Sequence, residues 1–260
     1  MVTAWSDGAG SDAPAQSEIK PRHVLCFLGA AQGLAHLTDA ASAAINDFAT
    51  GFGIDRTHSQ DRPDPRMVRS FAACRDRVVP GAWTSADDDA VRDHGSVLYV
   101  LSPPMTPETA VIVSAAALLL VDAVMSAGAV AAKGESAGMA HGLARWRQLA
   151  AEGAQALRSH DDFVLRRICR QSFAKRPLDG EDYLESLGFH LVGLPEIYVA
   201  KSLASGLDAV ALIDAVADDV AELGLEAVVR ARNARFSYAS TYAEEDFKFN
   251  PYGIVHLETR

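Results

Sequence analysis

The sequence predicts an α+β fold, with a mixed sheet and helices packed mainly on one face, in a single domain over residues 21–260. The first observation is that short apolar runs alternate with amphipathic helical stretches over residues 23–157. The second is that the pattern then becomes richer in strands, with one strong helix among them. The third is that the chain contains no internal repeat and no linker that would divide it.

Three pairs of a strand and a helix are predicted in the first part of the chain. Each strand is a short apolar run, and each helix carries apolar residues at intervals of three or four. The strands cover 23–29, 96–102 and 128–133, and the helices that follow them cover 34–52, 107–126 and 140–157. Two prolines, Pro63 and Pro65, predict a loop over 55–66, and a short helix over 67–77 follows it.

The rest of the chain is predicted to be rich in strands. Residues 163–173 alternate partly between apolar and polar positions, and 187–200 carries two apolar runs. One amphipathic helix spans 208–223. Strands over 235–241 and 253–258 complete the predicted sheet.

Composition and charge exclude several classes of protein. Because 49% of the chain is hydrophobic, a wholly disordered protein is excluded. The 24 Lys and Arg against 34 Asp and Glu give a formal net charge of −10. This charge argues against a nucleic acid or a membrane surface as the partner and favours a basic or neutral one.

The chain ends and the cysteines predict a cytoplasmic protein. Residues 1–20 lack the basic start and apolar stretch of a secretory signal and are predicted to be a disordered tail. The three cysteines are odd in number and outside any CxxC spacing, so no disulfide, metal or cofactor is predicted. Residues 110–132 are apolar enough to suggest a membrane span, but Asp122 near their middle argues against one.

One motif suggests catalysis. Residues 134–138 match G-x-S-x-G and fall between a predicted strand and a predicted helix, as the nucleophile elbow of α/β-hydrolases requires. In that arrangement Ser136 would be the nucleophile and His256 the base, oriented by an aspartate of the 208–223 helix. The alternative is a turn in which Ser136 caps the helix, and the lack of an HGGG segment favours this alternative.

Three charged clusters are interpreted as structural. Residues 145–176 contain eight basic and three acidic side chains, a balance of +5 that leaves −15 for the remainder. No aromatic platform for nucleic acid is interleaved with the basic residues, so a solvated surface that pairs with acidic neighbours is predicted. Residues 160–162 are predicted to be a solvated turn, and the aspartates 87–89 a loop.

Aromatic side chains are concentrated near the C-terminus, where 236–252 holds six of the 19 in the chain. Phe236 and Tyr238 alternate on a predicted strand, and we predict that they belong to the core. Tyr242 and Phe247 flank an acidic stretch, and we predict that they lie on a partner-binding surface.

Several short segments suggest a family. The apolar strand 128–132, the helix after it, a strand near 164–169 and the turn 193–197 resemble the bacterial domain-of-unknown-function family 4261. The resemblance covers about 96–201. It implies an α+β bacterial cytosolic domain with no assigned chemistry, and it implies that 134–138 is an ordinary strand-to-helix turn.

These observations together predict a non-enzymatic bacterial cytoplasmic protein that binds another protein. An immunity or accessory factor that neutralises a basic toxin fits the charge, because an acidic surface steers a basic partner. The alternative is a serine hydrolase that acts on an ester or amide through Ser136 and His256. The sequence leaves the oligomeric state and the identity of the partner open.

Overall fold

The computed structural model describes residues 20–31, 33–238 and 250–258. The predicted tail therefore lies, except for Lys20, outside the described residues. The helices of the described ranges are α1 (Leu34–Asp47), α2 (Arg66–Cys74), α3 (Ser85–Arg92), α4 (Ala110–Ser126), α5 (Leu143–Ser159), α6 (Asp162–Phe173), α7 (Gly206–Leu223) and α8 (Leu225–Arg232). The strands are β1 (Val24–Gly29), β2 (Gly53–Ile54), β3 (Ser96–Leu101), β4 (Ala129–Gly134), β5 (Met139–His141), β6 (Lys175–Asp179), β7 (Tyr183–Leu187), β8 (Glu196–Ala200), β9 (Arg235–Ser237) and β10 (Ile254–Leu257), and a 3-10 turn spans Phe189–Val192.

Sheet 1 has the strand order β2-β3-β1-β4-β5 and is antiparallel. Successive side chains of its central strand β1 pack into two different hydrophobic clusters, because strand side chains point alternately to opposite faces of the sheet. Leu25 and Phe27 pack into the main core with α1, α4 and α5. Cys26 and Leu28 pack on the other face against Phe71 of α2. Helices therefore cover both faces of sheet 1.

Sheet 2 has the order β6-β7-β8-β10-β9 and is mixed, since β8 and β10 are parallel and the other pairs are antiparallel. Its apolar face carries Ile197, Val199 and Val255, which are fully buried. They belong to the same core as Ile213 and Val216 of α7. This helix covers one face of sheet 2.

Helix α4 contributes to the core between the two sheets. Its residue Ser114 accepts a hydrogen bond from Nε2 of His23 at 2.7 Å and donates to the carbonyl oxygen of Leu191 at 2.6 Å. His23 is completely buried, and this burial lowers its pKa to about 3, so the ring is neutral. Among the described helices, none combines the length and hydropathy needed to cross a bilayer.

The α+β class is confirmed, with the strands divided between two sheets where one mixed sheet was expected. The strand character predicted for 163–173 is wrong, because this segment forms α6. Its buried residues Leu165, Ile168 and Cys169 follow helical spacing, and the Asp161 side chain accepts a hydrogen bond from the Val164 N–H at 3.0 Å.

The loop predicted at the aspartates 87–89 is also wrong, since these residues lie in α3. Thr84 and Asp87 form a capping box in which each side chain accepts a hydrogen bond from the other residue's backbone N–H. The aspartates are therefore placed in the first turns of a helix, where negative charge is stabilising.

The basic segment pairs with acidic neighbours, as predicted, at two of its arginines. Arg170 lies 2.8 Å from Asp218 of α7, and Arg176 lies 2.6 Å from Asp214 of the same helix. Both arginines are buried rather than solvated. These pairs therefore attach α7 to α6 and to the first strand of sheet 2.

Candidate binding face on the second sheet

The serine of the G-x-S-x-G motif lies in a β-hairpin between β4 and β5. The predicted strand-to-helix turn is therefore wrong, and Ser136 does not cap a helix. Its hydroxyl accepts a hydrogen bond from the Val24 N–H at 2.9 Å and donates to the carbonyl oxygen of Arg22 at 2.7 Å. These two bonds attach the hairpin to the backbone at the start of β1.

His256 lies in β10 of sheet 2, whereas Ser136 lies beside sheet 1, so the structure does not pair them as nucleophile and base. The ring of His256 is buried, and its Nε2 lies 2.8 Å from the hydroxyl of Ser237. Burial lowers the pKa of His256, and the nearby positive charge of Arg235 lowers it further. His256 is therefore held neutral beside a serine that the motif did not identify.

The strand register places His256 in a row of side chains on one face of sheet 2. Glu185, Tyr198, His256 and Arg235 are consecutive cross-strand partners on β7, β8, β10 and β9. Residues two positions away on the same strands share this face because of the two-residue period. We call this surface the tyrosine–histidine face, and it comprises Tyr183, Glu185, Tyr198, Arg235, Ser237, His256 and Glu258.

Three rings form the centre of the tyrosine–histidine face. The ring centroids of Tyr183 and Tyr198 lie 6.1 Å apart, and that of His256 lies 5.4 Å from the first and 5.5 Å from the second. His256 meets both tyrosines edge-on, a geometry that aromatic pairs prefer. Both tyrosines remain partly exposed, so the cluster presents aromatic surface to solvent.

A polar rim fixes the position of these rings. The Tyr183 hydroxyl donates to a carboxylate oxygen of Glu258 at 2.6 Å, and Arg235 lies 3.0 Å from the same oxygen. The Glu258 carboxylate raises the pKa of the Tyr183 hydroxyl, because the hydrogen bond favours the protonated form. The side chains of Arg235 and Glu258 are 52% and 44% exposed, so this pair is accessible to a partner.

The exposed charges around the tyrosine–histidine face are mainly acidic. The β6–β7 turn carries Asp179, Glu181 and Asp182, all exposed and next to Tyr183. Together with Glu258 they make four carboxylates, against two cations, Lys201 and Arg235, a balance of −2. Lys201 pairs with Asp179 at 2.8 Å, which leaves Glu181 and Asp182 without a recorded ion pair in the described ranges.

Helix α7 packs on the opposite, apolar face of sheet 2. Within the described residues, no helix makes a comparable contact through the tyrosine–histidine face. An antiparallel or mixed sheet with one face on the core and one toward solvent normally carries polar side chains on the second face. Here tyrosines occupy that position instead.

The predicted C-terminal aromatics divide into three groups. Phe236 is partly buried and packs against the main core, which confirms its prediction. Tyr238 was predicted to be in the core, but its side chain is 53% exposed and contacts the ring of Phe236 edge-on from outside. Tyr242 and Phe247 lie outside the described residues.

Cysteine and metal chemistry find no support in the described part of the chain. Burial raises the pKa of Cys26 and Cys169 to about 12, so neither thiol forms the nucleophilic thiolate at neutral pH. No group of three or more His, Cys, Asp or Glu side chains within the described ranges could hold a metal ion.

Sequence reasoning missed Tyr183, Tyr198 and Ser237 as site residues. The sequence shows only the local surroundings of these residues: Tyr198 lies in an apolar run, and Ser237 lies two residues after Arg235 on a predicted strand. These residues come together only through the pairing of β7, β8, β10 and β9. Strand order is not encoded in any single segment.

The chain matches no protein-family model, no curated protein and no solved structure. The resemblance to the domain-of-unknown-function family 4261 therefore stays a prediction. The geometry of the tyrosine–histidine face carries the functional argument.

Proposed function

We propose that the protein is a non-enzymatic binding protein whose tyrosine–histidine face receives a basic protein partner. The observation that carries the proposal is the mutually contacting trio Tyr183, Tyr198 and His256 on a sheet face opposite α7, where the two tyrosines are partly exposed around the buried histidine. Tyrosine is enriched at the centres of protein interfaces, because it supplies a large rigid contact area and a hydroxyl.

Two features of the face support a protein as the partner. Its tyrosines are held in place before binding by ring contacts and by the Tyr183–Glu258 hydrogen bond, which reduces the entropy lost on association. The acidic β6–β7 turn beside them, together with the net charge of −10, favours a basic partner over a nucleic acid. The proposal includes the cellular role predicted from the sequence, a bacterial cytoplasmic immunity or accessory factor.

The test begins by isolating partners on the tagged protein and then measures the binding of each purified candidate. Reversing the turn charges in the double variant Glu181→Lys/Asp182→Lys and removing a ring in Tyr198→Ala should each weaken binding by about tenfold or more. The matched control is Asp39→Lys/Asp47→Lys, which changes the same charge on exposed positions of α1, a helix that packs on sheet 1.

A partner that binds the control normally, loses affinity for both face variants and dissociates faster at high salt supports the proposal. A partner that binds the face variants as tightly as the wild-type protein overturns it. So does the absence of any partner whose binding depends on Glu181, Asp182 or Tyr198.

A second candidate function, a serine hydrolase, is favoured by one observation. The Ser237 hydroxyl lies 2.8 Å from Nε2 of His256, which is the hydrogen-bond distance at which a base can take a hydroxyl proton. The lowered pKa of His256 keeps its ring neutral and able to act as that base. Its other nitrogen, Nδ1, has no hydrogen-bond partner among the described residues, so the pair is a dyad.

A fluorophosphonate probe distinguishes the two candidates. In a hydrolase, the Ser237 oxygen would bond to phosphorus, fluoride would leave and His256 would take the hydroxyl proton. Labelling lost in Ser237→Ala but kept in Ser136→Ala would establish the second candidate. No labelling of the folded wild-type protein would remove it and leave the binding proposal.

A further inference from the structure

A cleft of about 470 Å³ lies between the segment after α2, strands β5 and β6, and the start of α7, and none of the three rings of the tyrosine–histidine face lines it. Its volume is in the range of small-molecule sites, which are typically about 300–1,000 Å³. Its apolar lining consists mainly of Val78, Met139, Pro177, Leu178, Leu207 and Val210.

Four cationic side chains line the same cleft: Arg75, Arg77, Lys175 and Arg176. Arg75 pairs with Asp88 and lies over the ring of Trp83, and Arg176 pairs with Asp214. The charges of these two arginines are therefore compensated by carboxylates of the protein itself. The remaining two are the ones that matter for a ligand.

Arg77 and Lys175 have no carboxylate partner among the described residues. Arg77 is exposed, and the Lys175 ammonium donates to the carbonyl oxygen of Ala73 at 2.7 Å. Because an ammonium group has three donors, this bond leaves two for a ligand. Two cations without carboxylate partners therefore line one cleft in a chain whose net charge is −10.

The two carboxylates in the cleft lining are engaged elsewhere. Asp76 accepts a hydrogen bond from the Val78 N–H at 2.9 Å and lies 3.4 Å from Nδ1 of His141. Asp179 lies 2.8 Å from Lys201 and its side chain is 80% exposed. Within the described residues, neither carboxylate forms an ion pair with Arg77 or Lys175, so these two cations remain available to a ligand.

The start of α7 adds an exposed apolar side chain to the lining of the cleft. Leu207 is 66% exposed, an unusual position for a leucine in the first turn of an 18-residue helix. The same first turn carries Asp208, an exposed carboxylate that does not line the cleft, so the positive charge of the site comes from the side chains of Arg77 and Lys175 rather than from the helix.

From this arrangement we infer that the cleft binds a small amphipathic anion, a molecule with one carboxylate or phosphate group and an apolar body. Arg77 and Lys175 hold the anionic group, and the apolar lining with Leu207 covers the rest of the molecule. This site goes beyond the proposed protein-binding function, because its cations and apolar lining belong to a different part of the surface. A basic protein would be repelled by it.

The test uses 8-anilinonaphthalene-1-sulfonate, an amphipathic anion whose fluorescence rises in an apolar site, with the neutral N-phenyl-1-naphthylamine as its uncharged counterpart. Arg77→Ala/Lys175→Ala should weaken binding of the anion by about tenfold or more, since charge-assisted hydrogen bonds are lost. The same variant should bind the neutral compound within about twofold of the wild-type protein.

Arg69→Ala is the matched control, because it removes an exposed arginine of α2 that does not line the cleft. Its affinity for the anion should stay close to that of the wild-type protein. Displacement of the probe by decanoate or by decyl phosphate then identifies the favoured anionic group.

Equal affinity of the double variant and the wild-type protein for the anion would overturn the inference, as would equal losses in Arg69→Ala. Failure of both decanoate and decyl phosphate to displace the probe would also overturn it. None of these outcomes bears on the tyrosine–histidine face, whose variants are tested separately.

Discussion

The two sheets of this protein differ in what covers them. Sheet 1 lies between α1, α4 and α5 on one face and α2 and α3 on the other, and its central strand is almost entirely buried. Sheet 2 carries α7 on its apolar face and tyrosines, a histidine and exposed ions on the other. The difference shows that both faces of sheet 1 are packed in the interior, whereas one face of sheet 2 stays partly exposed; in the proposed function that face is the recognition surface.

One charged group from each sheet illustrates the difference, although sheet 2 also holds the buried Arg176. Lys133 of sheet 1 is completely buried, with its ammonium 2.8 Å from Glu135 and 5.1 Å from the centre of the Phe71 ring. Such a charge is tolerated in the interior only because partners surround it. The Arg235–Glu258 pair of sheet 2 is exposed and contributes little to folding, so it can exchange partners.

The largest effect on stability is expected at Trp146, which is fully buried beside sheet 1. Its indole N–H donates to the carbonyl oxygen of Ala132 at 2.9 Å, and its ring contacts His141 and Phe173. Trp146→Ala should lower the free energy of unfolding by about 3–5 kcal/mol, measured by urea denaturation. Tyr198→Ala should cost about 1 kcal/mol, and equal losses would contradict the division between the sheets.

The next effect is a pH dependence at His23, where the sheets meet. Its folded pKa of about 3 lies below the ordinary 6.5, so its neutral form stabilises the protein above pH 6.5. As the pH falls from 6.5 toward 3, the unfolded chain binds a proton that the folded chain does not, and stability decreases. At pH 5 the loss should be about 2 kcal/mol, at 1.36 kcal/mol per pH unit.

His23→Gln keeps a donor for Ser114 and removes the titrating group, so its stability should change less between pH 7 and pH 5. Urea denaturation at both pH values measures the difference. His36→Gln, at an exposed histidine of α1, serves as the control and should keep the pH dependence of the wild-type protein. A variant at His23 that is as acid-sensitive as the wild-type protein would show that the pKa of this histidine is similar in the folded and unfolded states.

A smaller effect is expected at Ser136. Ser136→Ala removes the hydrogen bonds to Val24 and Arg22, which should lower the free energy of unfolding by about 1–2 kcal/mol. Ser159→Ala, where an exposed hydroxyl bonds only to carbonyls of its own helix, should have almost no effect. If both variants unfold alike, the hairpin does not depend on Ser136.

The smallest effect is expected at Tyr238. Because its side chain is 53% exposed, Tyr238→Ala should stay within about 0.5 kcal/mol of the wild-type protein. Phe236→Ala should destabilise more, since this ring packs against the main core and against Gly253. Thermal melting of the two variants compares them directly, and a lower melting temperature for Tyr238→Ala would contradict our assignment of Phe236 to the core and Tyr238 to the surface.

Most long elements were predictable because their patterns are local. The apolar runs of β1, β3 and β4 and the stripes of α1, α4, α5 and α7 appear within ten to twenty residues of sequence. Helix α6 was missed because a short run of mixed apolar and basic residues fits both periods. The cap that decides it, Asp161, had been interpreted as part of a solvated turn.

The site was less predictable than the fold. The sequence predicts His256 only as a base for Ser136, because G-x-S-x-G between a strand and a helix is the pattern of a nucleophile elbow, and the structure places a strand where that helix is expected. The strand β5 is only three residues long and pairs with β4, which converts the expected elbow into a hairpin. A pattern over so few residues does not distinguish a strand from the first turn of a helix.

The sequence by itself determined the α+β class, most of the elements and the acidic character, because periodicity and composition are properties of neighbouring residues. Only the tertiary structure decided that the strands form two sheets and that one face of the second carries Tyr183, Tyr198 and His256 together. The tertiary structure also decided the role of Ser136, whose hydroxyl forms hydrogen bonds with the backbone of residues 22 and 24, more than a hundred positions away. Such contacts depend on which strands pair and which faces helices cover, and these are set by the free energy of the whole packed chain rather than by any one segment.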